Sequence, residues 1–293
     1  LADINSPIFK YMGRLRVIIF SSDGSSVKTE EAWIQCGNAK LYGELRVPDH
    51  CPAPGILICH FMDVRGYHGL KIYSLLAERA CQSGFVSFVF DFRGVGKSGG
   101  EFDYGFGEQQ DVKCALNYLA SRSEVKPDDI FIVGHSLGAA VSLYAAQNEK
   151  RIKGLALWSP PKNHDHNVKK FIARTRGKSG LYTFLLLSRI DRFLNVSRFF
   201  RLEVFGINLR LRYVREKLMK LNECEEISKL RNIPVLIVTG DSDVIHGEDE
   251  AREVFSSAHD PKTLLVIKSA GPTYDGKEDE LISKTMEWIE KVK

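Results

Sequence analysis

The sequence predicts an α/β fold: a mostly parallel central sheet with helices on both faces and one insertion late in the chain. Two observations carry this. Short apolar runs recur from Gly55 to Ile267, and segments with apolar residues at helical spacing separate them. The runs are apolar at successive positions rather than alternate ones, as expected of strands covered on both sides.

The elements follow in order. Glu31 to Cys36 and Lys40 to Val47 read as extended segments, with Gly37-Asn38 for the turn between them, and so as an antiparallel hairpin. Gly55 to Cys59 and Phe85 to Phe90 are strands flanking a helix over Gly69 to Ser83. A helix from Glu108 to Ala120, a strand Ile130 to Val133, a helix Leu137 to Gln147 and a strand Ile152 to Trp158 repeat the unit. After a basic stretch the alternation resumes with strand Pro234 to Val238, helix Glu248 to Ala258 and strand Thr263 to Ile267. Lys277 to Val292 closes the chain as an amphipathic helix with Leu281, Met286 and Ile289 inward. The division that follows is a core over 1–160 and 231–293 and a helical cap over 161–230.

At 293 residues, with 44% hydrophobic and 27% charged positions, the chain can bury a large core and is neither disordered nor collagen-like. No apolar run reaches the length of a membrane span, and the first residues are too mixed for a secretory core. The six cysteines form no CxxC pair and no regular spacing, so free thiols in a reducing, cytoplasmic setting are expected. The net charge of +4 is unevenly spread, because Pro161 to Lys220 holds 15 Lys/Arg against 4 Asp/Glu and leaves an acidic remainder. A basic insert thus sits on an acidic body.

Gly134-His135-Ser136-Leu137-Gly138 fits G-x-S-x-G and lies directly after an apolar strand and before a helix. There the glycines permit a tight turn that lifts Ser136 to the carboxyl edge of the sheet, with the helix amino end facing the reacting carbonyl. Gly94-Val95-Gly96-Lys97-Ser98-Gly99 imitates a nucleotide loop. It lacks glycine where Asp91 stands, and no helix opens until about Glu108, so it reads as a structural loop.

With these features the chain resembles the α/β-hydrolase superfamily, specifically its serine aminopeptidase, monoacylglycerol lipase and cinnamoyl esterase-like branch. The resemblance runs from about Ala32 to the C-terminus. It rests on His60, Asp91-Phe92-Arg93-Gly94-Val95-Gly96-Lys97-Ser98, the elbow and Gly240-Asp241-Ser242-Asp243. It implies Ser136 as nucleophile and Asp243 as triad acid, with no cofactor and no metal. The Leu137 amide would be the first oxyanion donor. The usual His-Gly-x is His60-Phe61-Met62 here, so the second donor is Met62 by direct register or Phe61 with a one-residue deletion.

One part of the family pattern fails. The triad histidine should follow the last strand, but in Lys268-Ser269-Ala270-Gly271-Pro272-Thr273-Tyr274 its position falls on Pro272, which has no acid-base chemistry. His246 is the candidate substitute base, three residues after Asp243. One short loop should struggle to present both acid and base, so His246 is expected to point away from Ser136.

The insert places Leu181 to Leu187 and Phe193 to Phe205 beside Arg189, Arg192, Arg198 and Arg201, suiting a hydrophobic pocket beneath a cationic face. The resemblance therefore implies a serine acyl hydrolase of the carboxylesterase type, acting on a small-molecule ester with a hydrophobic acyl or aryl group and impaired by the missing histidine. The alternative is a non-catalytic homologue that binds a small hydrophobic or anionic ligand. The positive excess would suit an anionic substrate or an anionic membrane surface, whereas no nucleic-acid motif accompanies it.

Overall fold

The computed structural model describes residues 16–20, 26–170, 172–173, 179, 182–183, 186, 201–204 and 206–293. Nine strands form one sheet: β1 (Arg16–Phe20), β2 (Ser26–Cys36), β3 (Ala39–Val47), β4 (Ala53–Cys59), β5 (Val86–Phe90), β6 (Val125–His135), β7 (Ile152–Trp158), β10 (Val235–Gly240) and β11 (Lys262–Ile267). Its order is β1-β2-β3-β5-β4-β6-β7-β10-β11. The pairs β1–β2, β2–β3 and β3–β5 are antiparallel, and those from β5 through β4 to β11 are parallel. This is the α/β-hydrolase arrangement the resemblance implies. The pairing of β1 with the early part of β2 is an addition to it, since the sequence reading opened the sheet at Glu31.

The double covering follows from the strand composition. All seven residues of β4 are buried. Ile56 and Ile58 pack with α1 (Ile72–Gln82) and α7 (Glu278–Val292), and Leu57 and Cys59 with α2 (Phe106–Ala120), α3 (Leu137–Ala145) and α6 (Gly247–Ser257). Because alternate residues of a strand face opposite sides, two cores form, one on each face. Burial of each such side chain is worth roughly 1.5–3 kcal/mol. Leu281, Met286 and Ile289 all face inward.

The insert lies between β7 and β10. It carries helical residues 164–170, a two-stranded antiparallel ribbon of β8 (Arg201–Val204) and β9 (Ile207–Arg210), α4 (Leu211–Glu216) and α5 (Glu223–Ile227). The ribbon is an addition to the helical cap expected from the sequence. Val168, Ile172, Ile207, Val214, Leu218 and Leu221 join the same core as Leu137. Lys162 meets Glu253 at 2.7 Å, Lys170 meets Glu250 at 2.6 Å, and Lys217 pairs with Asp103. Part of the charge asymmetry is therefore spent in docking the basic insert onto the acidic body. Of the stretch 181–187, Tyr182, Thr183 and Leu186 are described, and all three are exposed. Arg189, Arg192, Arg198 and Phe193 lie outside the described residues.

The cysteines require a correction, and the glycine-rich loop does not. Cys36, at the end of β2, and Cys114, on α2, form a disulfide across a separation of 78 residues, leaving Cys51, Cys59, Cys81 and Cys224 free. The expectation of six thiols fails because the fold unites two cysteines that sequence spacing does not connect. The cysteine pattern then no longer argues for a reducing compartment. Among the described residues no helix is long and apolar enough to cross a membrane. In the glycine-rich loop, Asp91 is fully buried and accepts from the Tyr67 and Lys97 amides, while Ser98 Oγ donates to its carbonyl. The loop wraps its own carboxylate, consistent with the structural reading.

Candidate active site

Ser136 directly follows β6 and caps α3 with φ 51° and ψ −112°, a positive φ that costs a non-glycine residue energy. Close packing explains the flanking glycines. A Cβ on Gly134 would meet the Gly138 carbonyl and Ala139, and one on Gly138 would meet the carbonyls of Cys59 and His60. The turn is held by the Ser136 amide donating to the Trp158 carbonyl at 2.9 Å. Ser136 is partly exposed at the carboxyl edge of the sheet.

His246 does not point away. Its Nε2 is 3.2 Å from Ser136 Oγ, within hydrogen-bond reach, and the ring is buried. The expectation is overturned by the turn that Asp243 makes. Asp243 Oδ1 accepts the amides of Ile245 at 2.8 Å and His246 at 3.0 Å, which folds the chain back and starts α6 at Gly247. His246 caps that helix, with its ring over the elbow.

Asp243 is thereby committed to backbone. Its Oδ1 serves the turn, and its Oδ2 is buried without a hydrogen-bond partner. The groups beside His246 Nδ1 are instead Asn167 Nδ2 at 3.3 Å and Glu250 Oε2 at 3.9 Å. Sequence reasoning missed both. Glu250 follows His246 by four residues on one helix, a spacing that puts two side chains on one face and that could have been noticed. Asn167 comes from the insert and left no signal.

Pro272 touches the site through its backbone. Its carbonyl accepts from His135 Nε2 at 2.9 Å, and Tyr73 Oη lies 2.8 Å from His135 Nδ1. A carbonyl can only accept, so Nε2 carries the proton and Nδ1 takes the tyrosine's. Burial pushes the His135 ring down to about 4, and the Pro272 carbonyl and Asp243 oppose that only in part. His60 is likewise lowered to about 4 by burial, with its Nε2 accepting from the Phe92 amide. Both are neutral structural rings.

A consequence for stability can be measured. The unfolded His135 protonates near 6.5 and the folded one near 4, so the stability its neutral burial provides is complete above about pH 7 and is lost as the pH falls between those values. Relative to a His135→Gln variant, the wild type should lose on the order of 3 kcal/mol between pH 7 and pH 4, read from urea midpoints. A constant difference over that range would contradict the neutral ring.

The Phe61 amide donates to Tyr73 Oη at 3.0 Å. The Met62 amide makes no hydrogen bond among the described residues. Of the two candidates for the second oxyanion donor, the Phe61 amide is therefore committed elsewhere and the Met62 amide is available. The insert packs close by, with Leu221 over Gly105 near Leu137, and Gly206 against Val64. A cavity of about 630 Å³ lined in part by Glu149, Lys150, Lys153, Lys229 and Arg231 opens at the opposite, amino edge of the strands, and no serine, cysteine or histidine lines it.

Comparison with known proteins agrees with this architecture. The family model described as "Serine aminopeptidase, S33" matches residues 58–271, well over half of the chain. The uncharacterised protein RP471 of Rickettsia prowazekii is 33% identical over 94 residues, covering 32% of this chain and 37% of its own. The chain spans about a third to a half of the length of the first curated relatives it matches. Among solved structures, the hypothetical protein PA2218 of Pseudomonas aeruginosa superposes with a TM-score of 0.74 at 16% identity, over 94% of this chain and 96% of that one. Est1E from Butyrivibrio proteoclasticus, with ferulic acid bound, gives a TM-score of 0.68 at 22% identity over 89% and 98%. At these identities the structural likeness concerns the fold.

Proposed function

The chain belongs to the serine aminopeptidase S33 family within the α/β-hydrolases, and on that premise we propose that it is a serine acyl hydrolase of the carboxylesterase type acting on esters with a hydrophobic acyl or aryl group. The observation that carries the reading is the 3.2 Å contact between Ser136 Oγ and His246 Nε2 at a strained elbow. In this reading the missing histidine at position 272 is replaced by a base from the α6 cap.

The chemistry follows from the geometry. His246 Nε2 takes the Ser136 proton as Oγ attacks the ester carbonyl, and the negative oxygen of the tetrahedral intermediate accepts from the Leu137 and Met62 amides. The imidazolium then returns its proton to the leaving alcohol. Water, activated by the same ring, releases the acid and restores the serine. The apolar side chains of the insert near Leu137 favour a hydrophobic acyl or aryl group, and the ferulic acid bound to Est1E supports an aromatic one.

The test is covalent labelling with a fluorophosphonate beside turnover of short p-nitrophenyl esters. The expected result is one adduct per chain, mapped by peptide mass to Ser136, together with measurable hydrolysis. A folded protein showing neither would favour the non-catalytic ligand-binding alternative.

A further inference from the structure

Buried acceptors crowd His246 Nδ1. Glu250 is 3% exposed, and its Oε1 is taken by Lys170 Nζ at 2.6 Å, with His166 Nε2 at 3.7 Å. Its Oε2, 3.9 Å from His246 Nδ1, has no hydrogen-bond partner, and neither does the buried Oδ1 of Asn167. With the imidazole proton on Nε2, both acceptors stay unsatisfied, and a buried unpaired polar group typically costs about 1–3 kcal/mol. With the proton on Nδ1, the N–H faces Glu250 Oε2 at 3.9 Å, one small approach from a hydrogen bond, and the Asn167 amide, whose Nδ2 lies 3.3 Å away, turns end for end to present Oδ1. That tautomer also leaves the Nε2 lone pair facing Ser136 Oγ, as a general base requires.

The choice between the two acceptors follows from charge. Burial alone would raise the Glu250 carboxyl, but the Lys170 ammonium bonded to Oε1, together with the neighbouring His246 ring, outweighs it and holds the group below the ordinary glutamate value. Glu250 is therefore an anion, and a carboxylate stabilises the imidazolium formed during proton transfer better than an amide oxygen does. Asp243 Oδ1 is occupied by the amides of Ile245 and His246, and no hydrogen bond joins its carboxylate to the His246 ring among the described residues.

We propose that Glu250, rather than Asp243, is the carboxylate that accepts the His246 Nδ1 proton and aims the ring at Ser136, while Lys170 of the insert pins its second oxygen. Glu250 is thus a positioning residue, and the start of the insert takes part in assembling the base. This inference rests on His246 being the base, as proposed above.

The experiment pairs esterase kinetics with the low-field proton NMR resonance of His246 Nδ1–H, assigned by its loss in His246→Ala. Expected are loss or upfield movement of the resonance in Glu250→Gln, a roughly 10²- to 10⁴-fold fall in kcat with KM changed little, and partial rescue in Glu250→Asp. The resonance should persist in Asp243→Asn. If the unpaired Lys170 unfolds Glu250→Gln, the Glu250→Gln/Lys170→Met double variant carries the same expectations. An unchanged resonance in the Glu250 variant would overturn the proposal, with loss in Asp243→Asn pointing to Asp243 and loss in Asn167→Ala pointing to Asn167. The NMR readout does not depend on turnover. An enzyme indifferent to Ser136→Ala and His246→Ala would therefore refute the serine hydrolase reading while the Glu250 contact was still decided.

Discussion

Replacing His246 with alanine should lower kcat/KM for p-nitrophenyl esters on the order of 10⁴- to 10⁶-fold, with the fold intact by circular dichroism. Serine triads lose rates of this size with their base, because the remaining oxyanion donors and binding contacts retain only about 10³ to 10⁴ over water. His246 has the required reach at 3.2 Å, and among the described residues no other imidazole contacts Ser136 Oγ. His135, the nearest in sequence, is held between Tyr73 and Pro272 and lowered to about 4 by burial. Ser136→Ala should cost a similar factor, and the double variant little more, because nucleophile and base act as one unit. A His246→Ala enzyme within tenfold of wild type would remove His246 from the mechanism.

What could be read from the sequence divides along the range of the interactions. The strands and helices around the sheet are legible because their burial on both faces is written into successive apolar positions, and Ser136 is legible because its two glycines bracket it between an apolar strand and a helix, Gly134 answering to packing within the turn and Gly138 to the end of β4. The engagement of His246 is not. The reading treated the loop after β10 as too short to serve two roles, whereas Asp243 accepts two amides of that loop and so turns the histidine toward the serine. Glu250 lies within the same segment, but its relevance depends on where His246 points. The Cys36–Cys114 bond and the Asn167 contact join residues 78 and 79 positions apart, and no local pattern marks such pairs.

Placing a histidine at position 272 in the His246→Ala background should recover activity by at least about 10²-fold. Asp243 Oδ2 is a buried carboxylate oxygen without a donor, and stranded acceptors of this kind are expensive. It is the atom that would remain if an imidazole had been lost from the loop after β11. That loop is already seated: the Pro272 carbonyl accepts from His135, and Tyr274 is fully buried with its hydroxyl on Ser159 and the Val238 carbonyl. A ring at 272 would therefore extend from an anchored backbone beside the residue that precedes Ser136. With Asp243 accepting from one nitrogen, the other would be free to take the serine proton. In the wild-type background the gain should be smaller, since His246 already occupies the contact with Ser136 Oγ. Adding Asp243→Asn to the rescued enzyme should abolish the recovery, which separates a restored triad from a nonspecific effect of removing proline. Failure of the folded His246→Ala/Pro272→His enzyme to exceed His246→Ala would mean that the stranded oxygen of Asp243 does not mark the site of a base.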